Sequence, residues 1–340
     1  MTAAPQTPTP TVAEIARTCE AVLAEVATAV VGMAPALRTA LATILAGGHV
    51  LLEDVPGVGK TLAARSLATA LGLDFQRLQC TPDLLPSDIT GSLVYDPATT
   101  VFEFRPGPVF TGVFLADEIN RTPPKTQSAL LEAMAERQVT VEGTSHPLPA
   151  PFHVIATSNP VEHEGTYPLP EAQLDRFMVR LGVGYLDPAA EADVLVRRLA
   201  RREEAARVRA VVDADGVRAL QAGVEAVEVD RDVVAYCVDL AAATREHRQV
   251  EVGASPRGSQ ALVLVARALA VLDGRDFVTP EDVKDVAQAA LAHRLTLTPQ
   301  AWAAGVSPRD VVEQLLAQVP SPAATSSTAT GRSSAPATPS

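Results

Sequence analysis

At 340 residues the chain is long enough for about two domains, and its 47% hydrophobic and 20% charged residues suit ordinary globular cores. The formal net charge of −12 argues against a constitutive nucleic-acid binder, because neutralising phosphates takes a surplus of Lys and Arg, although a local basic channel remains compatible with it. Cys19, Cys80 and Cys237 are far apart and form no C-x-x-C pair, which suits a reducing cytoplasm better than a disulfide framework and makes them small core residues.

Residues 1–11 are Pro, Thr and Ala-rich, lack the basic and apolar parts of a signal peptide, and read as a disordered start. No apolar run approaches the roughly 20 residues of a membrane span. The histidines sit singly, and neither H-E-x-x-H nor G-x-S-x-G occurs, so a zinc site or a hydrolase elbow has little support. Val12, Ile15, Cys19, Val22, Leu23, Val26 and Val30 recur at helical spacing and predict a helix that stops at Gly32. Val30-Val31-Gly32 is either an ordinary helix break or a contact to a nucleotide base. Pro35, Leu37, Leu41, Ile44 and Leu45 mark a second helix, ended by Gly47-Gly48.

From His49 to Leu62 the order is apolar strand (Val50, Leu51, Leu52), turn (Pro56-Gly57-Val58-Gly59) and alanine-rich helix (Lys60 to Leu71), the context a phosphate-binding loop requires. Glycines let backbone N–H groups converge on phosphate oxygens, and the helix N-terminus adds its positive dipole end. Lys60 is expected to reach the β- and γ-phosphates of a nucleotide and Thr61 to ligate Mg2+. The pattern G-x-x-x-x-G-K-[ST] calls for Gly at position 54, where this chain has Asp54; Asp tolerates left-handed backbone better than most residues, so the loop survives the change.

Phe75 to Cys80 reads as a second strand, and Thr81 to Asp88 as a stretch too rich in Pro and Asp for a regular element. Leu93-Val94-Tyr95 and Val101 to Phe104 flank a five-residue loop, Asp96 to Thr100, and form a hairpin inserted into an α/β alternation. Val113 to Glu118 is an apolar strand delivering two carboxylates at its C-terminal end, the side of a parallel sheet where ligands sit. Asp117 is placed to hold magnesium through its waters and Glu118 to polarise the attacking water. Thr122-Pro123-Pro124 starts a helix burying Leu130, Leu131 and Met134, and 139–149 reads as a second hairpin.

The strand Phe152 to Ser158 ends at Asn159, which is either a turn former before Pro160 or an amide bonding both the γ-phosphate and the water. Pro170 to Phe177 is a short helix before a strand at Val179 to Val183. Arg176 is either a surface residue paired with Asp175 or, in a ring, an arginine finger reaching the neighbour's γ-phosphate. Asp187-Pro188 caps a long helix carrying Arg197, Arg198, Arg201 and Arg202; strand signals then nearly vanish, which marks a domain boundary near 187. Helices are expected at about 215–224, 230–246, 256–273, 280–293 and 308–318, with Thr279 and Ser255 as caps. Arg257, at a helix start, either faces solvent or folds over bound nucleotide. Residues 320–340 carry one charge, Arg332, and read as a disordered tail.

Taken together, Val31-Gly32, the Pro-Gly-Val-Gly-Lys-Thr loop, Ala116-Asp117-Glu118-Ile119-Asn120-Arg121, Asn159-Pro160, Leu174-Asp175-Arg176-Phe177 and Ala254-Ser255-Pro256-Arg257 resemble the MoxR family of AAA+ ATPases. The run from Gln79-Cys80-Thr81-Pro82-Asp83 through Asp88 to Gly91 is as characteristic as the nucleotide motifs, and the similarity spans about 25–318. The resemblance implies an α/β P-loop NTPase domain (12–186) with a parallel sheet, an all-α lid (187–319), and assembly as a ring, usually a hexamer. It implies that the hairpins at 93–104 and 139–149 are insertions used for remodelling or partner contact, Walker A residues Pro56, Gly57, Val58, Gly59, Lys60, Thr61 and Leu62, Walker B residues Asp117 and Glu118, sensor 1 at Asn159, sensor 2 at Arg257, and Val31 and Gly32 bordering the adenine. Arg176 matches the finger position of related branches, and Arg121 also lies where an inter-subunit contact would fall. The implied function is ATP- and Mg2+-dependent, chaperone-like maturation of a protein client, with partners bearing von Willebrand factor A-type domains and with metal-cofactor insertion among its uses. The rivals are a DNA-directed motor of the same branch, which the acidic charge disfavours, and a low-turnover nucleotide switch.

Overall fold

A computed structural model describes residues 9–55, 57–159, 166–201 and 207–322. The proposed disordered ends fall largely outside this range, as does Arg202. The first helix, α1 (Val12–Ala27), opens with a reciprocal capping box between Thr11 and Glu14 and buries Ile15, Cys19, Val22 and Val26 along one stripe. It ends well before Gly32, because the Thr28 hydroxyl donates to the Glu25 carbonyl (2.7 Å) and closes the last turn. Helix α2 (Ala34–Leu45) leads into β1 (Val50–Glu53), and α3 (Lys60–Ala70) into β2 (Phe75–Gln79).

Within the stretch read as irregular, residues 86–90 instead form a short helix, α4 (Pro86–Thr90). Pro86 sits at its first position, where no N–H partner is needed, and the Asp88 carboxylate accepts the Leu85 N–H at 2.8 Å. The residues that looked like breakers are the helix start. The first hairpin follows, β3 (Gly91–Asp96) with β4 (Val101–Pro106); its ladder extends to Asp96 opposite Val101, leaving a loop one residue shorter than expected, with Thr100 at φ +57°. Next come β5 (Val113–Asp117), α5 (Pro124–Glu136), the second hairpin β6 (Gln138–Val141) with β7 (Thr144–Pro147), and β8 (His153–Ser158). The short α6 (Glu171–Leu174) and β9 (Val179–Leu181) complete the α/β part.

Five strands form one parallel sheet in the order β2-β5-β8-β1-β9. The inner strands β5 and β8 are buried along their whole length, as a sheet covered on both faces demands, whereas the edge strand β2 is mixed. Side chains alternate between two cores. Val50, Leu52, Val113, Leu115 and Ile155 face one, and Leu51, Phe114, Ala116, Val154 and Ala156 the other.

Beyond β9 the chain is nearly all helical, which, with the parallel sheet, gives the expected α/β domain followed by a helical region. Helices α7 (Pro188–Arg201), α8 (Ala214–Glu225) and α9 (Arg231–Glu246) precede a two-residue-wide feature absent from the sequence pattern, the ladder of β10 (Val250–Val252) with β11 (Thr296–Leu297). Between those strands lie α10 (Pro256–Leu272) and α11 (Pro280–Leu291), and after them α12 (Pro299–Ala303), a further helix the pattern missed, and α13 (Pro308–Gln318). Both anticipated caps form: the Thr279 side chain accepts the Asp282 N–H and the Ser255 side chain accepts the Arg257 N–H. Buried residues of α1, α2 and α8–α11 share one continuous core with the first sheet face. Cys19, Cys80 and Cys237 are free and buried, and burial pushes their thiols up to about 12, 11 and 12.

Candidate functional site

The turn from β1 to α3 is shaped by Gly57 and Gly59, at φ +85° and +92°. A Cβ at either would meet nothing within 4 Å, so glycine is required there by backbone conformation rather than by space. Pro56 lies outside the described residues. Gly59 caps α3, which places Lys60 and Thr61 in its first turn. The Lys60 ammonium donates to the carbonyls of Asp54 (2.5 Å), Val55 (3.2 Å) and Ser158 (3.5 Å). Burial pushes its pKa below the ordinary value, against the pull of Asp54, Asp117, Glu118 and Glu53.

Sheet order brings the other expected residues to this turn. The ends of β1, β5 and β8 are neighbours, so Lys60, Thr61, Leu62, Asp117, Glu118 and Asn159 line one cavity of about 400 Å3. Thr61 donates to Asp117 Oδ2 at 3.0 Å. Asp117 is 7% exposed, and its other oxygen accepts the Thr157 hydroxyl at 2.6 Å. Thr157 in turn accepts the Glu118 N–H at 2.8 Å, so one buried hydroxyl fixes both acidic residues. Asn159 is 4% exposed, and its carbonyl accepts the Asn120 amide at 3.2 Å.

Glu118 lies just past β5 with φ +60°, a left-handed geometry that costs a non-glycine residue about 1 kcal/mol or more and persists only when its surroundings enforce it. They do. Besides the Thr157 contact, Glu118 Oε2 accepts Gln79 Nε2 at 2.8 Å and Arg121 Nη1 at 3.0 Å. Gln79 also accepts Arg77 Nη2 at 2.8 Å, and Arg77 Nε donates to Asp117 Oδ2 at 2.8 Å. Arg77, Gln79 and Thr157 were not legible as site residues. Their signal was the pairing of β2 beside β5, with Gln79 opposite Asp117, which no local pattern announces.

The Thr61 hydroxyl and the Asp117 carboxylate are adjacent hard oxygens, the donor set Mg2+ takes when most of its shell comes from water and phosphate. Among the described residues no group of three or more His, Cys, Asp or Glu could hold a metal without such help.

Asp54 does not use a left-handed backbone: the described non-glycine residues at positive φ are Thr100, Glu118, Arg137 and Glu142. Its role is set instead by its side chain, which accepts backbone N–H groups from Val55, Val183 and Gly184.

Arg176 and Arg257 line a second cavity, of about 240 Å3, together with Arg137, Asp175 and Arg294. Asp175 is not the partner of Arg176; it accepts Arg294 Nε at 2.8 Å and Ser255 Oγ at 2.9 Å. Arg257 is exposed and Arg176 half-buried. Arg121, by contrast, is engaged with Glu118 of its own chain. Val31 is half-buried, and Gly32 (φ +76°) packs so closely on Leu186 that a Cβ would lie 2.3 Å from its Cδ2.

Residues 49–179 match the ATPase family associated with various cellular activities (AAA), and residues 242–315 match the AAA lid domain. The chain is 49% identical over 282 residues to the uncharacterized protein YeaC of Bacillus subtilis, covering 83% of this chain and 88% of that one. It is 42% identical over 314 residues to Chaperone MoxR1 of Mycobacterium tuberculosis, covering 90% and 82% of the two chains. A crystal structure of a protein from Cytophaga hutchinsonii superposes with a TM-score of 0.85 at 42% identity, over 92% of this chain and 97% of that one. With a parallel sheet that gathers a phosphate loop and a carboxylate pair, a helical lid, and these relatives along most of its length, the chain belongs to the MoxR family of AAA+ ATPases.

Proposed function

We propose that this protein hydrolyses ATP with Mg2+ and uses the cycle for chaperone-like remodelling or maturation of a protein client, as a homo-oligomeric ring in the cytoplasm. The observation that carries the reading is the single cavity shared by Lys60, Thr61, Asp117, Glu118 and Asn159.

The Gly57–Gly59 turn and the N-terminus of α3 present N–H groups to phosphate oxygens. Lys60 exchanges its three carbonyl partners for the β- and γ-phosphates. Thr61 and Asp117 would hold Mg2+, which would supply charge neutralisation of the phosphates. Glu118 takes the role of orienting and polarising water, once its carboxylate leaves Gln79 and Arg121. Asn159 offers an amide to the water and the γ-phosphate.

Arg176 and Arg257 line the other cavity, and its arginines suit an anion brought by a neighbouring subunit. In a ring, usually a hexamer, both then serve a nucleotide held next door. On the first hairpin Tyr95 and Phe102 are 49% and 63% exposed with ring centroids 5.3 Å apart, a surface suited to client contact. The client class favoured by the family resemblance is a protein with a von Willebrand factor A-type domain, with metal-cofactor insertion as one outcome. No described helix is long and apolar enough to cross a membrane.

ATP turnover of Lys60→Ala and Glu118→Gln tests the reading. Each is expected to lose about 100-fold or more, Glu118→Gln while still binding ATP; wild-type rates in both would overturn it.

A further inference from the structure

The parallel ladder between β1 and β9 ends at Leu52 opposite Leu181. Past that point β1 stays paired with β8, Glu53 lying opposite Ser158, but has no further ladder partner in β9. The two chains nevertheless stay joined. Asp54 Oδ2 accepts the N–H groups of both Val183 and Gly184 at 2.5 Å, while Oδ1 accepts the Val55 N–H at 2.8 Å. A carboxylate thus continues the ladder after the main chain has left it, with charge-assisted hydrogen bonds stronger than the amide pairs they replace.

The same residue is joined to the phosphate loop through its backbone. Its carbonyl accepts Lys60 Nζ at 2.5 Å, and its N–H donates to the Ser158 carbonyl at 3.2 Å. Val183 and Gly184 belong to the linker that enters α7. Two residues on, Leu186 presses on Gly32. Asp54 therefore touches, within one residue, the lysine expected to move when phosphate arrives and the segment that leads into the helical region.

We propose that Asp54 is a positioning residue that couples nucleotide occupancy to the linker at 183–186: when Lys60 leaves the Asp54 carbonyl for phosphate, the carboxylate's hold on Val183 and Gly184 loosens. This rests on the reading of the loop as a nucleotide site. It accounts for an acidic residue where the phosphate-loop pattern has glycine. A glycine would carry no side chain to the linker, and a carboxylate near phosphate is tolerated because its charge is taken up by N–H donors. Burial raises the Asp54 pKa, but those donors and Lys60 outweigh it and hold the group below the usual carboxylate value, so it is ionised at neutral pH.

Amide hydrogen exchange at Val183 and Gly184 tests the coupling, with full-length protein, with and without ATPγS and Mg2+, beside a fluorescent-nucleotide titration of the same samples. In wild type, nucleotide is expected to speed exchange at these amides about tenfold. In Asp54→Gly exchange is expected to be fast already and to ignore nucleotide, while nucleotide still binds. Asp54→Asn, whose carbonyl oxygen keeps both linker N–H groups, is expected to restore part of the response, which a merely structural role would not predict. Should Asp54→Gly not fold, Asp54→Ser, too short to reach both N–H groups, carries the same expectation. Wild-type protein that binds nucleotide without loosening its linker, or a Gly or Ser variant whose linker loosens as much on binding, overturns the proposal alone. Wild-type protein that binds no nucleotide overturns the functional reading with it.

Discussion

Arg77 Nε lies 2.8 Å from Asp117 Oδ2, the same oxygen that accepts the Thr61 hydroxyl. The guanidinium gives the carboxylate proposed to hold magnesium a protein counter-charge. Arg77 is 42% exposed at its side chain, so the pair is worth at most about 1 kcal/mol in solution. Arg77→Ala is expected to lower the Mg2+ concentration that half-saturates nucleotide binding by about two- to fivefold. Titrating fluorescent-nucleotide binding against Mg2+ reads this, and an unchanged midpoint would show that Arg77 does not compete for Asp117.

Thr157 makes a different kind of contribution, because its hydroxyl is buried and bonds both Asp117 and the strained Glu118 backbone. Thr157→Val keeps the shape and leaves a carboxylate oxygen and an N–H without that partner. The expected loss is about 1–3 kcal/mol of stability, read from urea midpoints. Turnover should also fall, since Glu118 is then free to leave its left-handed geometry; full activity with wild-type stability would contradict the placement of Thr157.

Action of Arg176 between subunits has a direct signature. Glu118→Gln and Arg176→Ala should each be inactive alone, yet an equal mixture assembled into rings should regain about a quarter of wild-type turnover, since that share of interfaces pairs an intact Glu118 with an intact Arg176. No recovery in verified mixed rings would place both residues in one subunit's site.

Three buried histidines set an acid limit. Burial pushes His49 down to about 3, His153 down to about 4, and His293 well below its usual value. The neutral rings are used: His49 Nδ1 accepts the Val154 N–H, His153 Nδ1 donates to the Gly48 carbonyl, and His153 Nε2 is hydrogen-bonded to Gln221. Because the folded pKa values lie below the unfolded one, the unfolded chain binds more protons as pH falls. Stability is therefore whole above about pH 6.5 and declines below it, by about 1.4 kcal/mol per pH unit for each histidine, until the folded values are reached. His153→Asn, which keeps a donor for Gly48, should flatten the dependence of the urea midpoint between about pH 6 and 5 by roughly a third; an unchanged slope would show that His153 is not one of the titrating groups.

The elements that follow from neighbouring residues were legible in the sequence. Alternating or continuous apolar runs mark β1, β5 and β8, glycines mark the turn at 57–59, and Thr279 and Ser255 mark helix starts, because each is decided within one turn or one strand. The short helix at 86–90, the lid ladder and α12 were missed, since Pro-rich starts and two- or three-residue strands carry little periodicity.

The sequence by itself determined the strand, glycine turn and helix at 50–70, the apolar strand that ends in two carboxylates, and the type of fold, because positive φ at Gly57 and Gly59 and an unbroken apolar run from Val113 to Ala116 are written in neighbouring residues. Only the tertiary structure decided the partners. Strand order set Arg77 and Gln79 against Asp117 and Glu118, packing of the helical region gave Asp175 to Arg294 rather than Arg176, and Asp54 met amides 129 and 130 residues away. Contacts of that span depend on which strands lie side by side, and a parallel sheet fixes this through crossovers that no local pattern records.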